Sequence, residues 1–169
     1  MTILRRADQE ESSPMEGGKL LTMAGASTGA AMATVGDLTV QPGVRSGYHL
    51  HPNTEEAIFV VEGEMEFRVG SARFKASAGD CVLAPAGIGH GLENVGSSPA
   101  RLITIYPVAE PEREALDDVE YTDGDPPSTV YVRSNNEPYE FMVGVSRHDM
   151  VGDFLGSASL YLSELTFAP

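Results

Sequence analysis

Short runs of strand-forming residues, each ended by glycine or proline, fill the middle of the chain. In residues 38–41 and 64–69 apolar and polar side chains alternate, which is the period of a half-buried strand. Residues 57–61 and 101–106 are largely apolar runs, typical of strands buried on both faces. No helical period is present between residues 37 and 107. The sequence therefore predicts an all-β fold, either a sandwich or a barrel.

The glycines between these runs predict how the strands connect. Two apolar runs flank Gly63, and we expect them to form a hairpin that turns at this residue. Gly70 predicts the next turn, into a short strand over residues 73–75.

The composition changes after the last of these strands. Residues 109–125 contain eight acids and one base, Arg113, which indicates a solvated linker or one short helix over residues 111–119. Weak strand patterns return beyond this segment, and no internal repeat is evident. We therefore divide the chain into an N-terminal arm with strands that lead into the barrel (1–34), the barrel (35–108), an acidic linker (109–128) and a C-terminal extension that adds strands to the barrel or to a partner (129–169).

Charge and cysteine content restrict the partners and the compartment. The formal net charge of −14 argues against nucleic acid and against anionic membrane surfaces, because both would repel the chain. Cys81 is the single cysteine, so no intramolecular disulfide can form. A reducing cytoplasm fits this cysteine content. The expected partner is a small-molecule substrate.

Three histidines and one glutamate have the spacing of a metal site. His49 and His51 lie two residues apart, and on a strand this spacing places both rings on one face. Glu56 follows a short turn, and His90 follows a proline-containing loop. Three imidazoles and one carboxylate suit a divalent transition metal and leave coordination positions open for water or substrate.

The residues around these ligands resemble a known motif. Gly43-x5-His49-x-His51-x4-Glu56-x6-Gly63 is similar to the first conserved motif of the cupin family.

A second motif follows in the expected order. Gly79-x5-Pro85-x-Gly87-x2-His90-x3-Asn94 is similar to the second cupin motif, with every position filled. The resemblance implies a cupin jelly-roll β-barrel, also called a double-stranded β-helix, over residues 35–108. It also implies one divalent metal (Fe, Mn, Ni or Zn) per chain, bound by His49, His51, Glu56 and His90.

Two neighbouring acids compete for the position of the glutamate ligand. The six-residue gap to Gly63 selects Glu56 over Glu55. Because side chains alternate along a strand, only one of the two can point into the barrel. His148 lies outside the motifs and is predicted to be an exposed loop residue.

The ligand set leaves the reaction open. The first hypothesis is an oxygenase-type enzyme acting on a small chelating enol, aromatic or oxo-acid substrate, with Glu56 as the catalytic residue. The alternatives are a non-redox cupin enzyme (lyase, isomerase or polyketide cyclase) and a binding module without turnover. Small cupins usually pair through barrel strands, so a homodimer is expected. The predicted substrate pocket is lined by Tyr48, Met65, Phe67, Leu83 and Tyr106.

Overall fold

The computed structural model describes residues 3–169 and shows an all-β chain. Its strands are β1 (Glu11–Ser12), β2 (Gly18–Ala24), β3 (Thr34–Val40), β4 (His49–Leu50), β5 (Glu56–Glu62), β6 (Glu64–Val69), β7 (Ala72–Ser77), β8 (Cys81–Ala84), β9 (His90–Asn94), β10 (Ala100–Tyr106), β11 (Glu114–Ala115), β12 (Thr122–Asp123), β13 (Val130–Tyr131), β14 (Tyr139–Met142), β15 (Val145–Val151) and β16 (Leu162–Phe167). Short 3₁₀ turns lie at Arg6–Asp8, Ala26–Thr28, Arg133–Asn135 and Asp153–Leu155. No helix within residues 3–169 is long and apolar enough to cross a membrane.

Two sheets face each other and enclose the main core. One has the strand order β1-β2-β3-β10-β5-β8-β13 and the other the order β11-β4-β9-β6-β7-β12. Alternate residues of both sheets point inward and form one apolar cluster. Its buried members include Val40, Val60, Met65, Phe67 and Leu102. The predicted all-β jelly roll is confirmed.

Gly63 carries the chain from one sheet to the other, so the hairpin expected there is wrong. Strand β5 pairs with β8 and β10, whereas β6 pairs with β7 and β9. Gly63 has a φ of +97°, and a Cβ at this position would lie 2.8 Å from the Cβ of Ala100. The next turn is a true hairpin, in which Val69 pairs with Ala72.

The acidic segment, residues 109–125, is extended and largely exposed, and it contains two short strands, β11 and β12, in place of the short helix that was one alternative. Strand β11 pairs with β4 at one edge of the six-stranded sheet, and β12 pairs with β7 at the other. Between them, Asp118 pairs with Arg45 at 2.8 Å and with Arg68 at 2.9 Å. These backbone and ionic contacts hold the segment across the sheet although most of its side chains are exposed.

Strand β13 of the C-terminal extension pairs with β8 at the edge of the seven-stranded sheet, and β14, β15 and β16 form a separate three-stranded sheet. Met150 and Val151 of β15 pack in a second apolar cluster with Ala57, Cys81 and Leu83, on the outer side of β5 and β8. The extension therefore covers an outer face of the barrel within the same chain.

Candidate metal centre

The barrel brings together the four residues predicted to bind metal. His49 of β4 pairs directly with His90 of β9, and His51 follows β4 with its ring on the same side. Glu56 begins β5 in the opposite sheet. One ligand atom from each of these residues lies within 4.8 Å of all the others. Glu56, His51 and His90 are buried, and His49 is partly buried.

Backbone carbonyls orient all three imidazoles. Nδ1 of His49 lies 2.9 Å from the carbonyl of Gly47, and Nδ1 of His90 lies 2.9 Å from that of Ile88. Nδ1 of His51 contacts the carbonyl of Glu112. A carbonyl only accepts, so each Nδ1 carries the hydrogen and donates it. In the neutral ring the lone pair is then on Nε2, and the Nε2 atoms of His51 and His90 face Glu56.

One of these nitrogens has no hydrogen-bond partner. His51 Nε2 is buried without one, 3.4 Å from Glu56 Oε2. His90 Nε2 lies 2.9 Å from the same oxygen. Buried lone pairs that face a carboxylate need a proton or a cation between them. The donor set therefore fits a divalent metal bound by three Nε2 atoms and one carboxylate oxygen.

The pKa shifts follow from burial and from these contacts. Burial, followed by the charge of His90, lowers the pKa of His49 to about 4, so His49 is neutral near pH 7. Burial favours the protonated form of Glu56, but its contacts with His51 and His90 outweigh it and lower the pKa of Glu56. Burial also opposes charge on His90, yet Glu56 raises the pKa of His90 overall. A bound cation would thus replace a proton shared by His90 and Glu56.

Tyr106 fixes the orientation of the glutamate. Its hydroxyl donates to Glu56 Oε1 over 2.6 Å. Burial and the neighbouring Glu56 raise the pKa of Tyr106 well above its usual value, so the phenol stays protonated. Because Tyr106 occupies Oε1, the other carboxylate oxygen remains directed at the histidines.

Glu55 and Glu56 point to opposite sides of the barrel wall. The Glu55 carboxylate is also buried, but it accepts hydrogen bonds from the C-terminal loop, at Ser157 Oγ (2.8 Å) and the backbone nitrogens of Ala158, Ser159 and Leu160 (2.7–3.0 Å). It is therefore a structural anchor, separated from the histidine cluster by the alternation of the strand.

His148 also lies away from the cluster. It is part of strand β15, where its side chain is 13% exposed and its Nδ1 lies 3.6 Å from Glu164. The expected position in an exposed loop is thus wrong, because the C-terminal extension forms a sheet here.

A cavity of about 380 Å³ opens onto the cluster of three histidines and one glutamate. Its wall is mainly apolar and contains Met15, Leu20, Leu38, Ile58 and Leu92, together with a few hydroxyl groups. Glu56 is the one carboxylate and Arg113 the one cationic side chain in the wall, within the described residues.

Of the predicted pocket residues, only Tyr106 lines this cavity. Met65 and Phe67 lie in the packed main core, and Leu83 belongs to the outer cluster. The hydroxyl of Tyr48 lies 2.7 Å from the carbonyl oxygen of Gly70 and 2.9 Å from that of Gly89, outside the cavity wall. Alternation along a strand indicates which side chains point into the barrel. It does not indicate which of these pack in the core and which line the cavity.

Parts of the cavity wall come from outside the two motifs. Pro14 and Met15 reach it from the loop after β1 and Leu20 reaches it from β2, while Pro111 and Arg113 reach it from the acidic segment. No local pattern marks these residues, although Arg113 stands out as the single base among eight acids.

Added metal is expected to stabilise the folded protein. A hundredfold excess of Mn²⁺ or Zn²⁺ over its dissociation constant should add about 2.7 kcal/mol to the free energy of unfolding. For a chain of this size, such a gain raises the melting temperature by roughly 5–10 °C. Thermal melts of chelator-treated protein with and without metal measure the shift. His51→Ala should abolish it, and an equal shift in that variant would place the metal elsewhere.

Comparison with known proteins agrees with this architecture. A family model described as "Cupin domain" matches residues 36–106. Polyketide synthase CurC from Streptomyces cyaneus is 33% identical over 102 residues, 59% of this chain and 66% of CurC. Oxalate decarboxylase OxdC from Bacillus subtilis (strain 168) is 36% identical over 74 residues, 41% of this chain and 19% of OxdC. The chain thus spans only part of the length of both relatives.

A solved structure shows the same fold. The polyketide cyclase RemF from Streptomyces resistomycificus has a TM-score of 0.60 at 19% identity, over 71% of this chain and 88% of RemF. Because the family model matches the barrel, both gapped motifs are filled and the jelly roll that they imply is present, this chain belongs to the cupin family.

Proposed function

We propose that this protein is a metal-dependent, non-redox cupin enzyme that acts on a hydrophobic polyketide-type substrate with closely spaced carbonyl oxygens. The observation that carries the proposal is the position of the His-His-Glu-His cluster at a mainly apolar cavity of about 380 Å³. Such a cavity favours a hydrophobic or aromatic ligand, with a few polar groups that set its orientation.

The relatives favour this alternative over an oxygenase-type reaction. CurC is named as a polyketide synthase protein and OxdC as an oxalate decarboxylase, and neither name describes oxygenation. The cavity wall indicates which relative's substrate class suits this chain better. Oxalate is a small dianion, whereas this wall has a single cationic side chain, Arg113, among many apolar ones. The polyketide-type substrate therefore fits better.

A bound divalent metal would act as a Lewis acid toward the carbonyl oxygens of such a substrate. We assign proton transfer to Glu56, since it is the one carboxylate in the described cavity wall. Its contacts with His51 and His90 lower its pKa, so it becomes a stronger base when it leaves them. Tyr106, 2.6 Å from Oε1, holds the carboxylate during this transfer.

The reaction follows from this proton transfer. Glu56 takes a proton from the carbon between two carbonyl groups, and that carbon forms a bond to a ketone carbon of the same molecule. The ketone oxygen takes that proton back from Glu56 and becomes a hydroxyl group. The hydroxyl group then leaves with the second hydrogen of the attacking carbon, so that one water molecule is lost and a carbon–carbon double bond forms in the new ring. Arg113, the one cationic side chain in the described cavity wall, offsets negative charge that develops on the substrate, and the apolar wall limits access of water.

Turnover under nitrogen tests the proposal. Metal-loaded protein is incubated with aromatic 1,3-diketones that carry a ketone side chain, and products are followed by mass spectrometry. We expect ring formation with loss of one water and no need for oxygen. Tyr106→Phe should keep its metal and lower kcat by about 10- to 100-fold. Products that contain added oxygen, formed only in air, would contradict the proposal and restore the oxygenase hypothesis.

A further inference from the structure

Arg113 has no ionic partner, although it lies in the most acidic part of the chain. Within residues 3–169, every lysine and arginine other than Arg5 and Arg113 forms an ion pair with a carboxylate. Arg113 is the single base among eight acids in residues 109–125, yet none of these acids pairs with it. Its guanidinium is therefore available to a ligand of the cavity that it lines.

The extended backbone separates Arg113 from the neighbouring acids. Pro111 and Arg113 line the cavity, whereas Glu110, Glu112 and Glu114 are exposed and lie outside its wall. Side chains of an extended segment alternate between two faces. The alternation directs the acids away from the cavity and the one base toward it.

The backbone beside Arg113 is fixed next to the histidine cluster. The side chain of Asn53 donates to the carbonyl of Glu110 over 3.1 Å and accepts from the backbone nitrogen of Glu112 over 3.0 Å. The carbonyl of Glu112 accepts the hydrogen of His51 Nδ1. Strand β11 then pairs with β4, which carries the first histidine. Arg113 thus extends from a held backbone, directly after the carbonyl that orients a predicted metal ligand.

The charges in the cavity wall indicate what Arg113 binds. Glu56 and Arg113 are the charged side chains in the described wall, and the three imidazoles are neutral as ligands. With a divalent ion bound, two positive charges would remain in excess. The enolate of a 1,3-dicarbonyl group balances one of them, and a second anionic group on the substrate would balance the other.

A carboxylate is the anion that suits one guanidinium. The planar fork of an arginine donates two parallel hydrogen bonds to the two oxygens of a carboxylate. A phosphate monoester would bring nearly two negative charges of its own. No second cationic side chain lines the described cavity wall to balance them.

We propose that Arg113 binds a carboxylate group of the substrate, so that the substrate is a polyketide-type carboxylic acid. This inference rests on the proposed function, which places two carbonyl oxygens at the histidine cluster. The carbon skeleton would then lie along the apolar wall, which includes Leu20, Leu38 and Ile58.

The carboxylate contact also selects the position of the new ring. A polyketide chain carries carbonyl groups at alternate carbons, so the histidine cluster alone could accept several neighbouring pairs. A carboxylate held by Arg113 brings one pair, at a fixed distance from the acid end, to the cluster. Arg113 is thus a specificity-determining residue for the proposed cyclisation.

Calorimetric titration under nitrogen tests the contact without turnover. The probes are aromatic 1,3-diketones linked by alkyl chains of different length to a carboxylic acid, and the primary amides of the same compounds. They lack the ketone side chain that ring formation requires. The full chain loaded with Zn²⁺ should bind the best acid about 10- to 100-fold more tightly than its amide. Arg113→Gln should remove this preference and leave the affinity for the amide unchanged.

Arg5→Gln is the matched control, because it removes the same charge from the other arginine without an ion pair, outside the cavity wall. The preference for the acid should persist in this variant. An equal loss in Arg5→Gln would show an effect of the net charge of −14 in place of a contact, and would overturn the proposal. Equal metal content and melting temperature show that both variants remain folded.

Three further outcomes would overturn the role of Arg113. They are equal affinity of the wild-type chain for acid and amide, a preference that survives Arg113→Gln, and tighter binding of a phosphate analogue than of the acid. The first of these needs no variant.

Ring formation under nitrogen tests the proposed function separately. Cyclisation of uncharged diketones by a protein that does not prefer acids would overturn only the role of Arg113. A preference that depends on Arg113, without ring formation, would overturn only the cyclisation and would support the carboxylate contact.

Discussion

Glu56→Gln will lower metal affinity by at least about 100-fold. The metal content should fall as a result from about one ion per chain to a small fraction of that. The substitution keeps the size of the side chain but removes the charge that balances a cation among three imidazoles. It also places an amide where Oε2 now lies, 2.9 Å from His90 Nε2 and 3.4 Å from His51 Nε2. Loss of a residue that only orients a ligand already weakens metal binding by 10- to 100-fold, so loss of a ligand should exceed this.

Glu55→Gln is the matched control, because it makes the same chemical change one residue away. Its carboxylate lies on the other side of the barrel wall, where Ser157 and the backbone of residues 158–160 donate to it. Elemental analysis after equilibrium dialysis against Mn²⁺ or Zn²⁺ measures both variants. His90→Ala should behave as Glu56→Gln, and His148→Ala should bind metal normally. Metal loss from Glu55→Gln with retention in Glu56→Gln would reassign the acid ligand.

Glu55→Ala will release the C-terminal loop from the barrel while leaving the metal in place. A buried carboxylate here accepts three backbone hydrogen bonds and one from a serine hydroxyl. Removing it leaves those donors without their partner, and one charge-assisted hydrogen bond is worth about 1.5–3 kcal/mol. We expect docking of the loop to weaken by about 3 kcal/mol, equivalent to a roughly 100-fold rise in local opening.

Hydrogen exchange resolved to the peptide level measures this opening. The amides of Ala158, Ser159 and Leu160 should exchange about 100-fold faster in Glu55→Ala, with little change in the strands β5 to β10. Ser157→Ala removes only one of the donors and should give a smaller effect. Unchanged exchange in Glu55→Ala would show that the apolar contacts of Met150 and Val151 hold the extension without this anchor.

The different positions of Glu55 and Glu56 show how much a local sequence pattern can predict. Alternation along β5 is a property of any strand, so the sequence alone could place Glu55 and Glu56 on opposite faces. The same reasoning put His49 and His51 on one face, and the spacing of the cupin motifs added His90. The all-β architecture followed from short alternating runs and from glycines such as Gly63 that interrupt them.

Only the tertiary structure shows which strands pair with one another and which residues line the cavity. The sequence locates a turn at Gly63 but does not state whether the chain pairs with itself there or crosses to the other sheet, since strand pairing depends on distant residues. Arg113 reaches the cavity because the acidic segment crosses a whole sheet, held by contacts such as that between Asp118 and Arg68.

A repeat of the first three strands in the C-terminal sheet was likewise visible only in three dimensions. Residues 11–40 and 138–167 share pairing registers and turn positions although most of their side chains differ, so β14 to β16 have the form of β1 to β3 with little of their sequence. The sequence by itself predicted the His-His-Glu-His cluster and the class of fold, because both depend on residue spacing within short stretches of the chain. The cavity wall, including Arg113, and the anchoring of the C-terminal sheet depend on contacts between residues far apart in the chain, and only the folded structure decided them.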